Sequence, residues 1–333
     1  MDIRFKNGIK SGVKRGLSGY WWLLKILTPI SFGTALLVYT GWLYKLDFII
    51  EPVMGVLSLP ASAALPLIIG LFTGIYGAIG AMAALPLTVE QMTLIAIFLL
   101  ISHNLIQESI VQGQSGLNPF VAAGFRLVVS FIVTATVALI IDPQNAVVLP
   151  ASIANSPAAL VSSSGVEIVH KSLPFLSMLK DWSIDFGLLA LRIFTIIMPL
   201  MVVMELMKSF DLIRHIVKLI SPVLSIMGLS RSTGVLWLTA ACFGLAYGAA
   251  VIVEETRTNT FSKDELIRLQ LSIGINHAMI EDPALFLPLG ILPFWLWIPR
   301  LAAAILTIYI VHIINLVRKL HAQRTCHKKL CNH

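Results

Sequence analysis

The stretch INHAMIEDP, Ile275–Pro283, gathers Asn276, His277, Glu281 and Asp282 in an otherwise apolar part of the chain. A second stretch, ISHNLIQES, Ile101–Ser109, repeats its pattern 174 residues upstream (103 to 277). His103 falls under His277, Ile106 under Ile280, Gln107 under Glu281 and Glu108 under Asp282. Held without a gap, the same spacing sets Gly116 on Gly290, Pro119-Phe120 on Pro293-Phe294 and Arg126-Leu127 on Arg300-Leu301. Upstream it sets Gly70 and Gly74 on Gly244 and Gly248, and Thr88-x-x-Gln91 on Ser262-x-x-Glu265. The last pair has the form of two capping boxes, each opening a helix. Chance similarity between apolar runs does not place His, Gly, Pro-Phe and Arg-Leu at equal intervals, so the chain is read as an internal duplication.

Composition decides the solvent. The 333 residues have a mean hydropathy of +0.87 and only 12% charged side chains. Several runs reach the roughly 20 residues that cross a bilayer as a helix. They are continuous rather than alternating, which excludes a β-barrel. The fold class expected is an all-α polytopic membrane protein. The net charge of +7 and pI of 9.4 come from positives beside apolar runs. That pattern suits anionic lipid and membrane orientation, and nucleic acid is not an expected partner.

Five segments follow. Residues 1–20 are basic, with Ile9, Val13 and Leu17 at helical spacing, and read as an amphipathic helix lying on the cytoplasmic leaflet. Residues 21–141 form repeat 1, 142–182 a Ser-, Ala- and Pro-rich linker, and 183–316 repeat 2. Residues 317–333 are a basic tail with His321, Cys326, His327, Cys331 and His333, whose spacing fits no standard zinc pattern. Within each repeat the order is a long helix (Trp22–Tyr44; Ile184–Phe210), an interfacial segment (Asp47–Ser58; Asp211–Met227) and a Gly-rich segment (Ala61–Leu85; Thr233–Val253). A capped helix then ends at the polar cluster, and a last helix carries the arginine.

The Gly-rich segment fixes topology. Read as a spanning helix, it gives four crossings per unit and parallel repeats. Read as a re-entrant hairpin, it gives three crossings and inverted repeats. The hairpin model gathers Lys208, Arg214, Lys218, Arg231, Arg257, Lys263, Arg268 and the tail on the inside with the basic N-terminus, as the positive-inside rule demands. Six crossings, two hairpins and both termini on the cytoplasmic side of an inner membrane are therefore expected.

LISPVLSIMGL, Leu219–Leu229, followed by the Gly-rich FGLAYGAAVIVEE, Phe243–Glu255, resembles the nucleoside recognition or Gate domain. That domain is found in FeoB-type ferrous iron transporters and spore maturation membrane proteins, and its fold is related to that of concentrative nucleoside transporters. The resemblance extends over both repeats. It implies two inverted units of helix, interfacial helix, re-entrant hairpin, helix and helix, and a transport function. The chain departs from the FeoB pattern in having no G-x-x-x-x-G-K-[ST] loop, and its Gate regions lack paired cysteines.

The candidate binding residues for solute or ion are His103, Asn104, Gln107, Glu108, Asn276, His277, Glu281 and Asp282. Ionisable groups inside membrane segments are costly and point to function. His277 and Glu281 are four apart and share a face of a continuous helix. Asp282 precedes Pro283 and marks a helix end. His103, His277 and Glu281 form the candidate metal set, since imidazole and carboxylate suit a borderline divalent ion; no other cofactor is expected. Arg126 and Arg300 support the clusters, as partners of the carboxylates or as anion ligands. Gly74, Gly77 and Gly248 are the hairpin glycines. Glu205 has no charged counterpart in repeat 1. No catalytic spacing occurs, and an enzyme is not expected. Three functions remain: a carrier of a small polar solute, a divalent metal permease using His103, His277, Glu108, Glu281 and Asp282, and a membrane scaffold binding a partner protein. Lipid and a second copy of the chain are the other partners considered.

Overall fold

Two capping boxes start the best-matched pair of helices. In a computed structural model of the protein, the Thr88 hydroxyl accepts from the Gln91 N–H at 3.1 Å while Gln91 Oε1 accepts from the Thr88 N–H at 3.0 Å. Ser262 and Glu265 repeat the arrangement. The structure describes residues 3–42, 52, 54–114, 116–141, 174–210, 212, 229, 231–244, 252, 253, 255 and 261–330. Of these, residues 3, 231, 232, 243 and 318–330 are described by backbone only.

The elements are α1 (Ile3–Tyr39), α2 (Ala64–Thr73), α3 (Ile75–Ala83), α4 (Val89–Ser102), α5 (Leu105–Gln114) and α6 (Pro119–Ile141) in the first unit. The second has α7 (Phe175–Ser209), α8 (Arg231–Phe243), α9 (Lys263–Asn276), α10 (Glu281–Phe286) and α11 (Pro293–Leu330). The protein is an all-α polytopic membrane protein. Among the described residues, five helical stretches are long and apolar enough to cross a membrane: Arg4–Tyr39, Val89–Gln114, Pro119–Ile141, Phe175–Ser209 and Pro293–Val317. The counterpart of Val89–Gln114 in the second unit, α9 with α10, is more polar: Lys263, Asp264, Glu265, Arg268, Glu281 and Asp282 fall within it.

α1 and α7, the first helices of the two units, pack antiparallel along their length. Gly12 lies against Val202, Gly16 against Met198 and Gly8 against Leu206. Further along, Tyr20 donates to the Ala190 carbonyl and Trp182 Nε1 to Ser31. This corrects the expectation for residues 1–20. They are the first half of one helix about 55 Å long, by the rise of 1.5 Å per residue, rather than a separate helix on the leaflet. The reason is the small-residue stripe: Gly8, Gly12 and Gly16 are buried and let two backbones approach. Val13 and Leu17, expected to face a membrane from an interfacial helix, are exposed on the opposite side. Glu205 receives Arg15, Ser11 and Lys208, so it is paired across the two units.

α2 and α3 double back on each other. A Cβ added at Gly70 would lie 3.1 Å from the Ala78 Cβ, and one at Gly77 would lie 2.7 Å from Ile69 Cγ2. Residues eight apart meet only in a hairpin, since a straight helix would separate them by about 12 Å. Gly74 makes the turn at φ +94°, ψ 179°, a region essentially closed to residues with a Cβ. Each arm reaches about 15 Å, half of the roughly 30 Å hydrocarbon core.

The hairpins correct one alignment. The Gly74 N–H donates to Gly70 O, which also accepts from Asn104 N. In the second unit Gly244 N donates to Ala240 O, which also accepts from Ala278 N. Gly74 therefore corresponds to Gly244, not Gly248, and the separation here is 170 (74 to 244). Both units carry glycines four apart, which allowed the misregistered match. Gly248 lies outside the described residues, as do Asp47–Glu51, nearly all of Asp211–Met227 and the linker to residue 173. The linker also ends earlier than expected: residues 175–182 belong to α7, started after Pro174. At the other end α11 runs through Leu330, so much of the expected tail continues that helix.

Candidate functional site

α4 and α9 stop at the same place. His103 and His277 are their C-caps, both extended, and the next residues, Asn104 and Ala278, take φ of +46° and +44°. Positive φ is uncommon outside glycine. Here the backbone bonds to Gly70 and Ala240 hold it, so the first arm of the α2–α3 hairpin and helix α8 each grip the break beside them. The break overturns two expectations. His277 and Glu281 do not share a helix face, because no helix joins them. Asp282-Pro283 stands in the first turn of α10 rather than at a helix end; proline is tolerated there because the N–H it lacks would have no partner.

A helix ending inside a bilayer strands carbonyl groups. Arg126 and Arg300 satisfy them. Arg126 Nε donates to Ile101 O at 2.8 Å and Nη2 to His103 O at 2.9 Å. Arg300 does the same to Ile275 O at 3.2 Å and His277 O at 2.9 Å. Both arginines are fully buried. Arg126 also binds the Glu108 carboxylate, so for Glu108 the expected pairing with arginine is present.

The two breaks face each other across the units. The His103 and His277 rings lie 5.1 Å apart by centroid. His103 Nδ1 is 2.8 Å from Leu99 O, and His277 Nδ1 is 3.3 Å from Ile273 O. A carbonyl only accepts, so both Nδ1 atoms carry the proton and both Nε2 atoms point away from the backbone. His103 Nε2 meets Glu108 Oε1 at 3.2 Å and Asp282 Oδ2 at 3.4 Å. His277 Nε2 meets Glu108 Oε2 at 3.2 Å. The ligand atoms of His103, Glu108 and His277 all lie within 4.8 Å of one another.

The metal set expected from sequence thus has Glu108 in the place given to Glu281. Glu281 instead accepts from the Tyr76 hydroxyl at 3.3 Å, because α10 starts a new helix direction after the break. Gln107 is exposed and outside the cluster. The Asn104 side chain packs on Gly74, 2.8 Å from where a Cβ would be, and Gly77 lies one turn on, against Thr73 and Ile69. Asn276 is fully buried, and among the described residues neither its Oδ1 nor its Nδ2 has a hydrogen-bond partner. Among the same residues His277 Nε2, Asp282 Oδ2, Arg126 Nη1 and Arg300 Nη1 likewise form no hydrogen bond.

Tyr76 was missed by sequence reasoning, although its place two residues past the hairpin glycine is a usable signal. Gln112 was missed too. Its Nε2 donates to Gln270 O at 2.7 Å, joining α5 to α9, and nothing in its local sequence marks it.

With this geometry in view, the comparisons are brief. The chain is 29% identical over 307 residues to an uncharacterized membrane protein, YvoD, of Bacillus subtilis (strain 168). The match covers 91% of this chain and 93% of that protein. No family model and no solved structure matches. The relative is a membrane protein of nearly the same extent, in keeping with the multi-pass membrane fold described above.

Proposed function

We propose that the protein is a Gate-type transporter that carries a small polar solute through a midplane site between two inverted repeats. One observation carries this reading: a buried cluster, built half from each unit at two broken helices, in which several polar atoms have no hydrogen-bond partner among the described residues. Buried unpaired polar groups cost about 1–3 kcal/mol each, and native proteins keep few of them. A site that receives a polar solute accounts for them. Discontinuous helices meeting at the middle of the membrane are a recurrent device of transporters.

The antiparallel course of α1 and α7 supports inversion, since equivalent helices of parallel repeats run the same way. It also brings Lys6, Lys10, Lys14 and Arg15 to the end where Lys208 lies, in keeping with a cytoplasmic N-terminus. The α2–α3 hairpin, half the thickness of the bilayer core, fits the re-entrant reading and the Gate resemblance.

The test is uptake by proteoliposomes of a panel of labelled nucleosides, divalent metals and organic anions. Uptake of at least one, lost in a folded Glu108→Gln variant, supports the reading. No uptake of any by folded wild type argues for the scaffold.

A further inference from the structure

We propose that the central cluster binds a divalent first-row transition metal ion through His103 Nε2, His277 Nε2, Glu108 Oε1 and Asp282 Oδ2. The proposal rests on the transport reading and names the solute class for its site.

Four features argue for it. The first is spacing. Charge-assisted N–H···O contacts to carboxylate are about 2.7–2.9 Å, whereas the two imidazole–carboxylate contacts within this set, His103 Nε2 to Glu108 Oε1 and to Asp282 Oδ2, are 3.2 and 3.4 Å, and His277 Nε2 meets the other Glu108 oxygen at 3.2 Å. Tetrahedral bonds of about 2.0–2.2 Å put neighbouring ligand atoms about 3.3–3.6 Å apart. The observed contacts fall close to that edge length.

The second is tautomer. Each Nδ1–H is committed to a helix carbonyl, so in the neutral ring each Nε2 is a lone pair aimed at carboxylate oxygens. Facing lone pairs repel unless a proton or a metal cation lies between them. Anchoring the remote ring nitrogen is also how metal-binding histidines are held.

The third is support behind the carboxylate. Arg126 holds Glu108 Oε2, which orients the group and leaves Oε1 toward His103. Among the described residues neither Asp282 Oδ2 nor His277 Nε2 has a hydrogen-bond partner.

The fourth is donor chemistry. Two imidazoles with two carboxylates suit Mn²⁺, Fe²⁺, Co²⁺ or Zn²⁺, and the set has no soft sulfur ligand. Because each unit supplies one histidine and one carboxylate, the complete set exists only where the units meet.

Co²⁺ is a direct probe. Full-length protein in detergent, stripped with EDTA, is titrated with Co²⁺ and followed by visible absorption, metal content and thermal midpoint. The expected result is a d–d spectrum saturating at one ion per chain beyond any bound at the C-terminal His/Cys tail, with a rise in midpoint that EDTA reverses. His277→Gln and His103→Gln each weaken that site at least about tenfold. Binding unchanged in both variants, or no binding and no midpoint shift in wild type, overturns the proposal. If neither variant folds, the wild-type spectrum and midpoint decide alone. Vesicle uptake separates the two readings. Stoichiometric Co²⁺ binding without uptake of any solute leaves the metal site and removes transport. Glu108-dependent uptake of a nucleoside or organic anion without Co²⁺ binding does the reverse.

Discussion

Nε2 of His277 lies 3.2 Å from Oε2 of Glu108, a residue 169 positions earlier (108 to 277) and in the other repeat. His103 has the reciprocal relation to Asp282. Each imidazole thus meets the carboxylate of the opposite unit, and the duplication noticed in sequence becomes one site in space.

Arg126 and Arg300 have matched tasks but unequal weight. Arg126→Leu strands the Ile101 and His103 carbonyls and the Glu108 charge, while Arg300→Leu strands only the Ile275 and His277 carbonyls among the contacts found. Loss of one partner from a buried ion pair costs about 3–5 kcal/mol. Thermal unfolding in detergent should therefore show Arg126→Leu as the more damaging change. Arg126→Lys should restore little, since an ammonium lacks the planar fork that reaches two carbonyls and a carboxylate.

The glycine stripe of α1 gives a graded series. A Cβ at Gly12 would lie 2.6 Å from the Val202 Cα, a backbone atom that moves only if the helices part. At Gly8 and Gly16 the nearest atoms, Leu206 Cδ2 and Met198 Sδ, are side-chain ends at 2.8 Å. At Gly19 nothing lies within 4 Å. Gly12→Ala is expected to cost about 1–3 kcal/mol, and Gly8→Ala and Gly16→Ala less. Gly19→Ala should be neutral or stabilising by up to about 1 kcal/mol. Thermal midpoints of the four variants check the order.

Gly74 and Gly244 differ in the same way. Gly74→Ala meets both the forbidden φ, ψ pair and the Asn104 amide. Gly244, at φ +84°, has among the described residues only the Ala278 Cβ nearby, at 3.9 Å. Backbone strain of this kind costs about 1–3 kcal/mol, so Gly74→Ala should lower the thermal midpoint and solute uptake more than Gly244→Ala.

How much of this was legible beforehand depends on what the chain writes locally. The capping boxes at Thr88 and Ser262 are local chemistry and were readable. So was the His/carboxylate pattern, because duplication repeated it. The breaks after Ser102 and Asn276 were not. Neither Asn104 nor Ala278 is a glycine or proline, and their positive φ is imposed by bonds to Gly70 and Ala240, far away in sequence. That missing break put Glu281 beside His277 on paper, while the folded chain turns it to Tyr76. The helix spacing of Ile9, Val13 and Leu17 was genuine, but the buried face was the glycine stripe beside it, which reads as packing only once α7 is its neighbour.

Topology follows from α1 and α7. Single cysteines at Ser11 and Lys208, in a background lacking Cys242, Cys326 and Cys331, should react with an impermeant maleimide from one side of the membrane. Cysteines at Trp42 and Phe175 should react from the other. Labelling of Ser11→Cys and Phe175→Cys from the same side would contradict two antiparallel crossings.

The most direct test of a shared midplane site is the accessibility of Asn276, fully buried at the junction of the units. Asn276→Cys in the same cysteine-free background is exposed to a small impermeant thiol reagent, separately from each face of oriented vesicles. The account predicts reaction from both faces, slowed by the transported solute. A residue unreactive from both faces, or reactive from one alone, would contradict an alternating site between the repeats.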